Sequence, residues 1–279
     1  MDYRKPSDVV DTMIQSGIDK IALTNRDLWI RGFLSGAILG FGTTLAITAT
    51  VQTGLGIVGA LVFPACFVIV VIMGFELVTG SFAILPTAYI DKQIGGRAMF
   101  SNLLIVFLAN LLGGVVYALL FWISSTNAGH TVTAPLSAAI VKIAEAKTIG
   151  YSQFGAAGWF TAFTKGILCN WMVTMGVVMS LTSTSTLGKI FAAWLPVFIF
   201  FAQGFEHAVV NMFVIPAGMM LGAKVSFADW WLSNQIPVTL GNIVGGVIFT
   251  ALALSLTHRK KNRVAELAPR RAFSLSKQN

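Results

Sequence analysis

The groups in this chain that can do chemistry cluster in Gly204-Phe205-Glu206-His207-Ala208-Val209-Val210-Asn211-Met212-Phe213-Val214-Ile215-Pro216. A carboxylate, an imidazole and a carboxamide lie here between 191–201 and 214–223, neither of which holds an Asp, Glu, Lys or Arg. An ionisable group so placed costs a few kcal/mol in lipid even on lenient insertion scales, so it must face a cavity or a partner. Gly204 and Pro216 bracket the stretch, and both loosen a helix. The pattern predicts a broken membrane helix whose irregular part lines a pathway. The plainer reading is a Glu-His pair buried between helices for structural reasons.

A second stretch resembles the first: Gly74-Phe75-Glu76-Leu77-Val78-Thr79-Gly80-Ser81. Thr79 offers a hydroxyl, and Gly80 leaves the backbone free. Glu76 has no charged neighbour in sequence, and a buried acid needs donors. Pinning the broken backbone is therefore the expected role of Glu76 and of Glu206. His207 is different, because Leu77 stands at the corresponding position. Imidazole switches between neutral donor and cation near neutral pH. In a narrow apolar pore it can donate a hydrogen bond to an anion or hand it a proton. A bare anion in a dry constriction loses hydration worth several kcal/mol or more. Protonation couples to occupancy if the imidazole offsets that loss.

Lys165, one turn before Cys169-Asn170, either adds positive potential at a pore mouth or snorkels. Phe63, Phe67, Phe200, Phe201 and Phe205 flank the two stretches. Any two of them facing the pore would form a dry constriction; the rest are packing. Gly32, Gly36 and Gly40 form a doubled GxxxG, for close packing within the bundle or between subunits.

The surrounding chain reads as a membrane protein. Of its 279 residues, 56% are hydrophobic and 11% charged. No Asp, Glu, Lys or Arg occurs in 32–75 or in 98–141, and each run exceeds the ~20 residues that cross a bilayer. The net charge of +8 sits mostly at the two ends, a topology signal and not a nucleic-acid footprint. Cys66 and Cys169 offer neither a disulfide framework nor a metal spacing. Phosphate loops, nucleophile elbows and HExxH are absent, so the chain reads as no enzyme, with no cofactor. The opening residues are too polar for a signal peptide, which leaves the first span as the insertion signal.

Three parts follow. Residues 1–27 form a cytoplasmic amphipathic helix opened by Pro6-Ser7-Asp8, lying on the membrane surface or capping the bundle. Residues 28–258 hold six spans, near 28–51, 55–90, 100–124, 160–181, 190–221 and 237–258, with a short helix near 137–147. Residues 259–279 are a basic cytoplasmic tail. Fifteen of nineteen Lys and Arg residues fall on one side of this arrangement, which puts both termini in the cytoplasm.

The chain also repeats. Gly74-Phe75-Glu76 returns as Gly204-Phe205-Glu206, Asn110-Leu111-Leu112-Gly113-Gly114 as Asn242-Ile243-Val244-Gly245-Gly246, and Arg31-Gly32 as Lys165-Gly166. The offsets are 130, 132 and 134 residues. Three spans per half is an odd number, so the halves must be inverted, with spans two and five broken.

At Phe75-Glu76-Leu77-Val78-Thr79-Gly80, Lys165-Gly166-Ile167-Leu168-Cys169-Asn170-Trp171, Gly204-Phe205-Glu206-His207 through Asn211-Met212, and Ile236-Pro237-Val238-Thr239-Leu240-Gly241-Asn242, the chain resembles the formate/nitrite transporter family. The resemblance implies an all-α, aquaporin-like membrane fold and a homopentamer with one pore per protomer in a bacterial inner (plasma) membrane. It implies a central His207 faced by Thr79 on a mobile loop, with Asn170 and Lys165 as the polar fourth-helix motif and Glu206, Asn211 and Asn242 among the pore residues. Phe63 and Phe200 match the outer constriction; Phe67, Leu77, Val78 and Val173 match the inner one. Val78 replaces a phenylalanine and Ser81 an asparagine common in the family. The implied cargo is a small monovalent anion, formate first and nitrite or hydrosulfide next, with protons as a possible partner. An aquaporin-type neutral pore is more remote, since paired Asn-Pro-Ala boxes are missing. A signalling scaffold would leave two broken helices unexplained.

Overall fold

The computed structural model describes residues 2–131 and 134–259; most of the basic tail lies outside the described residues. The described chain is helical, apart from one antiparallel bridge between Tyr3 and Ser183.

Helix α1 (Pro6–Ala22) starts on a proline at its first turn, where the missing N–H costs nothing. Its apolar stripe of Val9, Val10, Met13 and Ile14 is buried. That stripe packs on helix α4, defined below, and a methyl at Gly17 would meet Ala88 Cβ at 2.5 Å. The stripe therefore caps the bundle. Ahead of α1, Asp2 reaches the 183–185 loop. Its carboxylate accepts from Ser183 Oγ, Thr184 N, Thr184 Oγ1 and Ser185 N at 2.7–2.9 Å. These donors, Thr184 and Ser183 foremost, lower its pKa to about 2.

Helix α2 (Asn25–Thr53) is capped by Thr24 Oγ1, which accepts from Asp27 N at 3.2 Å. Then come α3 (Gly56–Ile72), α4 (Val78–Ile90), α5 (Gly96–Thr126), α6 (Pro135–Lys147) and the single turn α7 (Ile149–Ser152). The chain continues with α8 (Gly155–Ser180), α9 (Thr186–Ala202), α10 (Ala208–Met220) and α11 (Phe227–His258). Helices α2, α5, α8 and α11 are long and apolar enough to cross a membrane. Helices α3, α4, α9 and α10 are shorter apolar pieces. At 1.5 Å per residue, a 13-residue piece covers ~20 Å of a ~30 Å hydrocarbon core.

The predicted 55–90 and 190–221 segments are each interrupted, and by the same turn. Gly74 and Gly204 adopt φ of 64° and 67°, a conformation glycine reaches without a Cβ penalty. Phe75 N bonds back to Val70 O at 3.0 Å, and Phe205 N to Phe200 O at 3.3 Å. The chain then extends through Leu77 (φ −112°, ψ 117°) and His207 (φ −110°, ψ 118°) into α4 and α10.

The GxxxG glycines serve packing inside the bundle. A Cβ on Gly36 would strike the Asn110 main chain, and one on Gly40 the Tyr117 ring, both on α5. The last helix starts ten residues before the predicted 237. Ser226 and Asp229 cap its start reciprocally, and a wider π turn over Trp231–Gln235 carries it into Pro237. Proline lacks the N–H that the 233 carbonyl would otherwise receive. Instead, Ile236 N bonds to Trp231 O.

Candidate functional site

Each interruption strips backbone groups of their helical partners, and in an apolar interior those groups need replacements. Two asparagines supply them in matching ways. Asn110 Oδ1 accepts from Val78 N at 2.9 Å, while its Nδ2 donates to Gly32 O and Glu76 O, both at 2.8 Å. Asn242 Oδ1 accepts from Ala208 N at 2.9 Å, while its Nδ2 donates to Gly166 O at 2.8 Å and Glu206 O at 3.0 Å. Glu76 N reaches Arg31 O at 3.4 Å, and Glu206 N reaches Lys165 O at 3.3 Å.

The two carboxylates are buried and paired. Lys20, in the last turn of α1, places Nζ 2.6 Å from Glu76 Oε2. Lys147, in the last turn of α6, places Nζ 2.7 Å from Glu206 Oε2. Glu206 also accepts from Tyr151 Oη at 2.8 Å and Asn211 Nδ2 at 2.8 Å, with Asn234 Nδ2 at 3.4 Å. Such buried charges persist only when paired and hydrogen-bonded. The sequence reading missed both lysines as partners. The available signal was their shared position at the end of a short amphipathic helix in each half. Lys165 instead holds its ammonium over the Tyr151 ring, 5.7 Å from the centroid.

His207 caps α10. Val210 N donates to its Nδ1 at 3.2 Å, so the neutral ring carries its hydrogen on Nε2. That Nε2–H faces Thr79 Oγ1 at 2.9 Å, leaving the Thr79 hydroxyl hydrogen free to donate elsewhere. Thr79 is the second residue of α4, just past the irregular segment, and not on a loop as the resemblance implied. Asn170 Nδ2 donates to Thr79 O at 3.1 Å and to Asn242 O at 2.7 Å, which ties α8 to α4 and α11. The Phe200 ring stacks on the imidazole, 5.8 Å between centroids.

Apolar side chains enclose this pair. Phe63 meets Phe200 edge-on at 5.9 Å and stacks on Phe201 at 4.0 Å. Phe67, Leu77, Val78 and Val173 belong to the same buried cluster. A cavity of about 300 Å³ is lined by Lys20, Arg31, Phe67, Glu76 and Leu77. Another, of about 410 Å³, is lined by Lys142, Lys147, Phe200, Phe205 and His207. Their walls correspond. Gly74, Phe75, Leu77, Gly80 and Ile84 line the first; Gly204, Phe205, His207, Val210 and Val214, each 130 residues on, line the second. Among the described residues no cluster of His, Cys, Asp or Glu could hold a metal ion.

The chain is similar to known proteins over most of its length. A family model described as "Formate/nitrite transporter" matches residues 7–256. A protein named "Probable formate transporter" from Methanothermobacter thermautotrophicus is 36% identical over 247 residues, covering 83% of this chain and 89% of that one. A solved structure described as "FNT family ion channel" superposes with a TM-score of 0.78 at 28% identity, covering 88% of this chain and 97% of that one. A second, described as "Pentameric formate channel with formate bound", gives a TM-score of 0.67 at 24% identity, with 83% and 96% covered. The family match spans both interruptions, both ion pairs and the His207–Thr79 contact, and the chain therefore belongs to the formate/nitrite transporter family, a family of transporters and not of enzymes.

Proposed function

We propose that the protein is a membrane channel for small monovalent anions, with formate preferred over nitrite. The observation that carries this reading is the buried His207–Thr79 hydrogen bond, with apolar side chains and a cavity toward each end. The cavity beside His207 has Lys142 and Lys147 and no carboxylate in its wall, so it attracts anions, whereas Lys20 and Arg31 in the other are balanced by Asp19 and Glu76. An anion that sheds water among Phe63, Phe67, Phe200, Leu77, Val78 and Val173 finds the free Thr79 hydroxyl hydrogen, polarised by His207 Nε2–H. The ring as held donates one hydrogen bond. To carry a second proton it must first release the Val210 N–H from Nδ1, so proton transfer is coupled to the cap of α10. Asn110, Asn242, Asn170 and Asn211 fix the backbone and the acids around this path. Lys165 contributes potential at a distance.

The same reading makes α3–α4 and α9–α10 the broken second and fifth of six spans in two inverted, aquaporin-like repeats. The paired asparagine bonds and the common 130-residue offset support it. Helix α1 and the basic tail then lie in the cytoplasm of a bacterial inner membrane, as the lysine and arginine bias indicates. Five copies assemble, each with its own pore; the fold shared with a pentameric formate channel supports that number.

The test is flux into proteoliposomes, comparing formate, nitrite and hydrosulfide at stepped pH. A glycerol swelling assay is run beside it. Formate should move fastest and glycerol should not enter. Swelling in glycerol without formate flux would assign a neutral-solute pore instead.

A further inference from the structure

The two cavities are assembled from corresponding parts, and one part differs. Beside Glu206, Asn211 Nδ2 bridges Glu206 Oε2 and Asn234 Oδ1, each at 2.8 Å, and Asn234 Nδ2 donates to Lys147 O at 2.9 Å. Beside Glu76, Asn102 occupies the place of Asn234 and makes the same bond, Nδ2 to Lys20 O at 3.0 Å. Ser81 stands where Asn211 stands, 130 residues earlier, and its side chain is shorter by most of a carboxamide.

By correspondence with that cluster, the shortfall leaves three hydrogen-bonding groups around the place the Asn211 amide fills in the other half. Ser81 Oγ and Asn102 Oδ1 are buried, at 1% and 3% exposure, and neither has a partner among the described residues. Among the described residues the Glu76 side chain keeps only the Lys20 ammonium on Oε2, whereas Glu206 is held by Lys147, Tyr151, Asn211 and Asn234. The open set is thus one hydroxyl donor and two acceptors, the Asn102 carbonyl and a further lone pair on Glu76 Oε2, where Asn211 bonds in the other half.

We propose that Ser81, Asn102 and Glu76 form a binding site for a single water molecule that replaces the Asn211 amide in the Glu76 half. A water can accept from Ser81 Oγ and donate to Asn102 Oδ1 and to Glu76 Oε2, the oxygen that corresponds to the one Asn211 reaches on Glu206, which matches the usual three bonds of a buried water. An anion is rejected, because two of the three positions are lone pairs. A cation is not needed, because Lys20 already neutralises Glu76. Both Ser81 and Glu76 line the 300 Å³ cavity, through which the water arrives. The Glu76 carboxylate is consequently solvated by an exchangeable molecule, while Glu206 is held by side-chain donors. Unmade bonds at buried groups carry a desolvation cost, which the water removes.

The experiment is a crystal or cryo-microscopy map of the full-length protein at a resolution that shows ordered water, for wild type, Ser81→Asn and Asn211→Ser. Wild type should show density roughly 2.6–3.2 Å from Ser81 Oγ, Asn102 Oδ1 and Glu76 Oε2. In Ser81→Asn the amide should take that position, the density should vanish, and Tm should rise by roughly 2–4 °C. Asn211→Ser should gain a water in the other half and lose a similar amount of Tm. A wild-type map with ordered water elsewhere in the cavity and none here overturns the proposal. So does a Ser81→Asn map in which the water persists. If Ser81→Asn does not assemble, the wild-type map alone decides.

Discussion

His207 Nε2 lies 2.9 Å from Thr79 Oγ1, although 128 residues separate the two in the chain. The contact forms because both residues enter short helices from interruptions of the same geometry. The orientation is fixed from behind by Val210 N–H on Nδ1. Replacing His207 by Asn keeps a polar group at the cap but removes the titratable ring. The variant should remain folded and oligomeric, and its formate flux should lose its pH dependence between roughly pH 5 and 8. Proteoliposome flux at stepped pH, wild type beside variant, measures this. An unchanged profile would leave His207 a structural cap.

Thr79→Val keeps the shape and removes the hydroxyl. The His207 Nε2–H would then be buried without an acceptor, at about 1–3 kcal/mol. Formate flux should fall at every pH, and Thr79→Ser should restore most of it. Recovery with Val as complete as with Ser would show that the hydroxyl does not touch the solute.

Phe200 is packed against Phe63, Phe201 and His207 at once. Truncation to alanine opens a void at a cost of about 3–5 kcal/mol, as core Phe→Ala changes do. If the protein still assembles, the acetate-to-formate flux ratio should rise. A ratio equal to wild type would make this ring packing alone.

Lys147→Met leaves the Glu206 carboxylate buried without its cation. Breaking a buried pair costs about 3–5 kcal/mol, and the remaining donors on Glu206 reduce that. A drop in Tm of roughly 5–10 °C is expected. The double variant Lys147→Met, Glu206→Gln should lose less than the two single losses added, because the unpaired charge is gone. Strict additivity would contradict the pair.

The Asp2 carboxylate has its pKa lowered from 3.8 to about 2 by the Ser183–Ser185 loop. A depressed acid stabilises the contact above its unfolded pKa and loses that contribution as pH falls through the folded value. The attachment of the N-terminal segment should thus be complete above about pH 4 and released toward pH 2. Hydrogen exchange at Thr184 and Ser185 reads this directly. Asp2→Ala should show the released level already at pH 6.

The sequence alone determined the helical class and the family, and its repeated Gly-Phe-Glu segments marked the two places where the chain turns. Apolar runs without charge have few stable outcomes, and Gly74 and Gly204 end their helices by taking a positive φ that glycines inside the other helices do not. The spaced asparagines at 110 and 242 were likewise visible as repeated motifs, since each must lie on its helix at one height. Partner choice was not legible. Glu76 and Lys20 are 56 residues apart and Glu206 and Lys147 59 apart, and such pairs exist only once a separate amphipathic helix docks under each interruption. The start of the last helix was misplaced because Pro237 reads as a boundary, and only the π turn before it shows how the helix continues. The tautomer of His207 was also beyond the sequence, because it depends on which backbone N–H the fold points at Nδ1. The unequal surroundings of Glu76 and Glu206 follow the same logic. Ser81 against Asn211 is a small difference in sequence, and it acquires meaning only when tertiary packing sets Asn102 and Asn234 beside them.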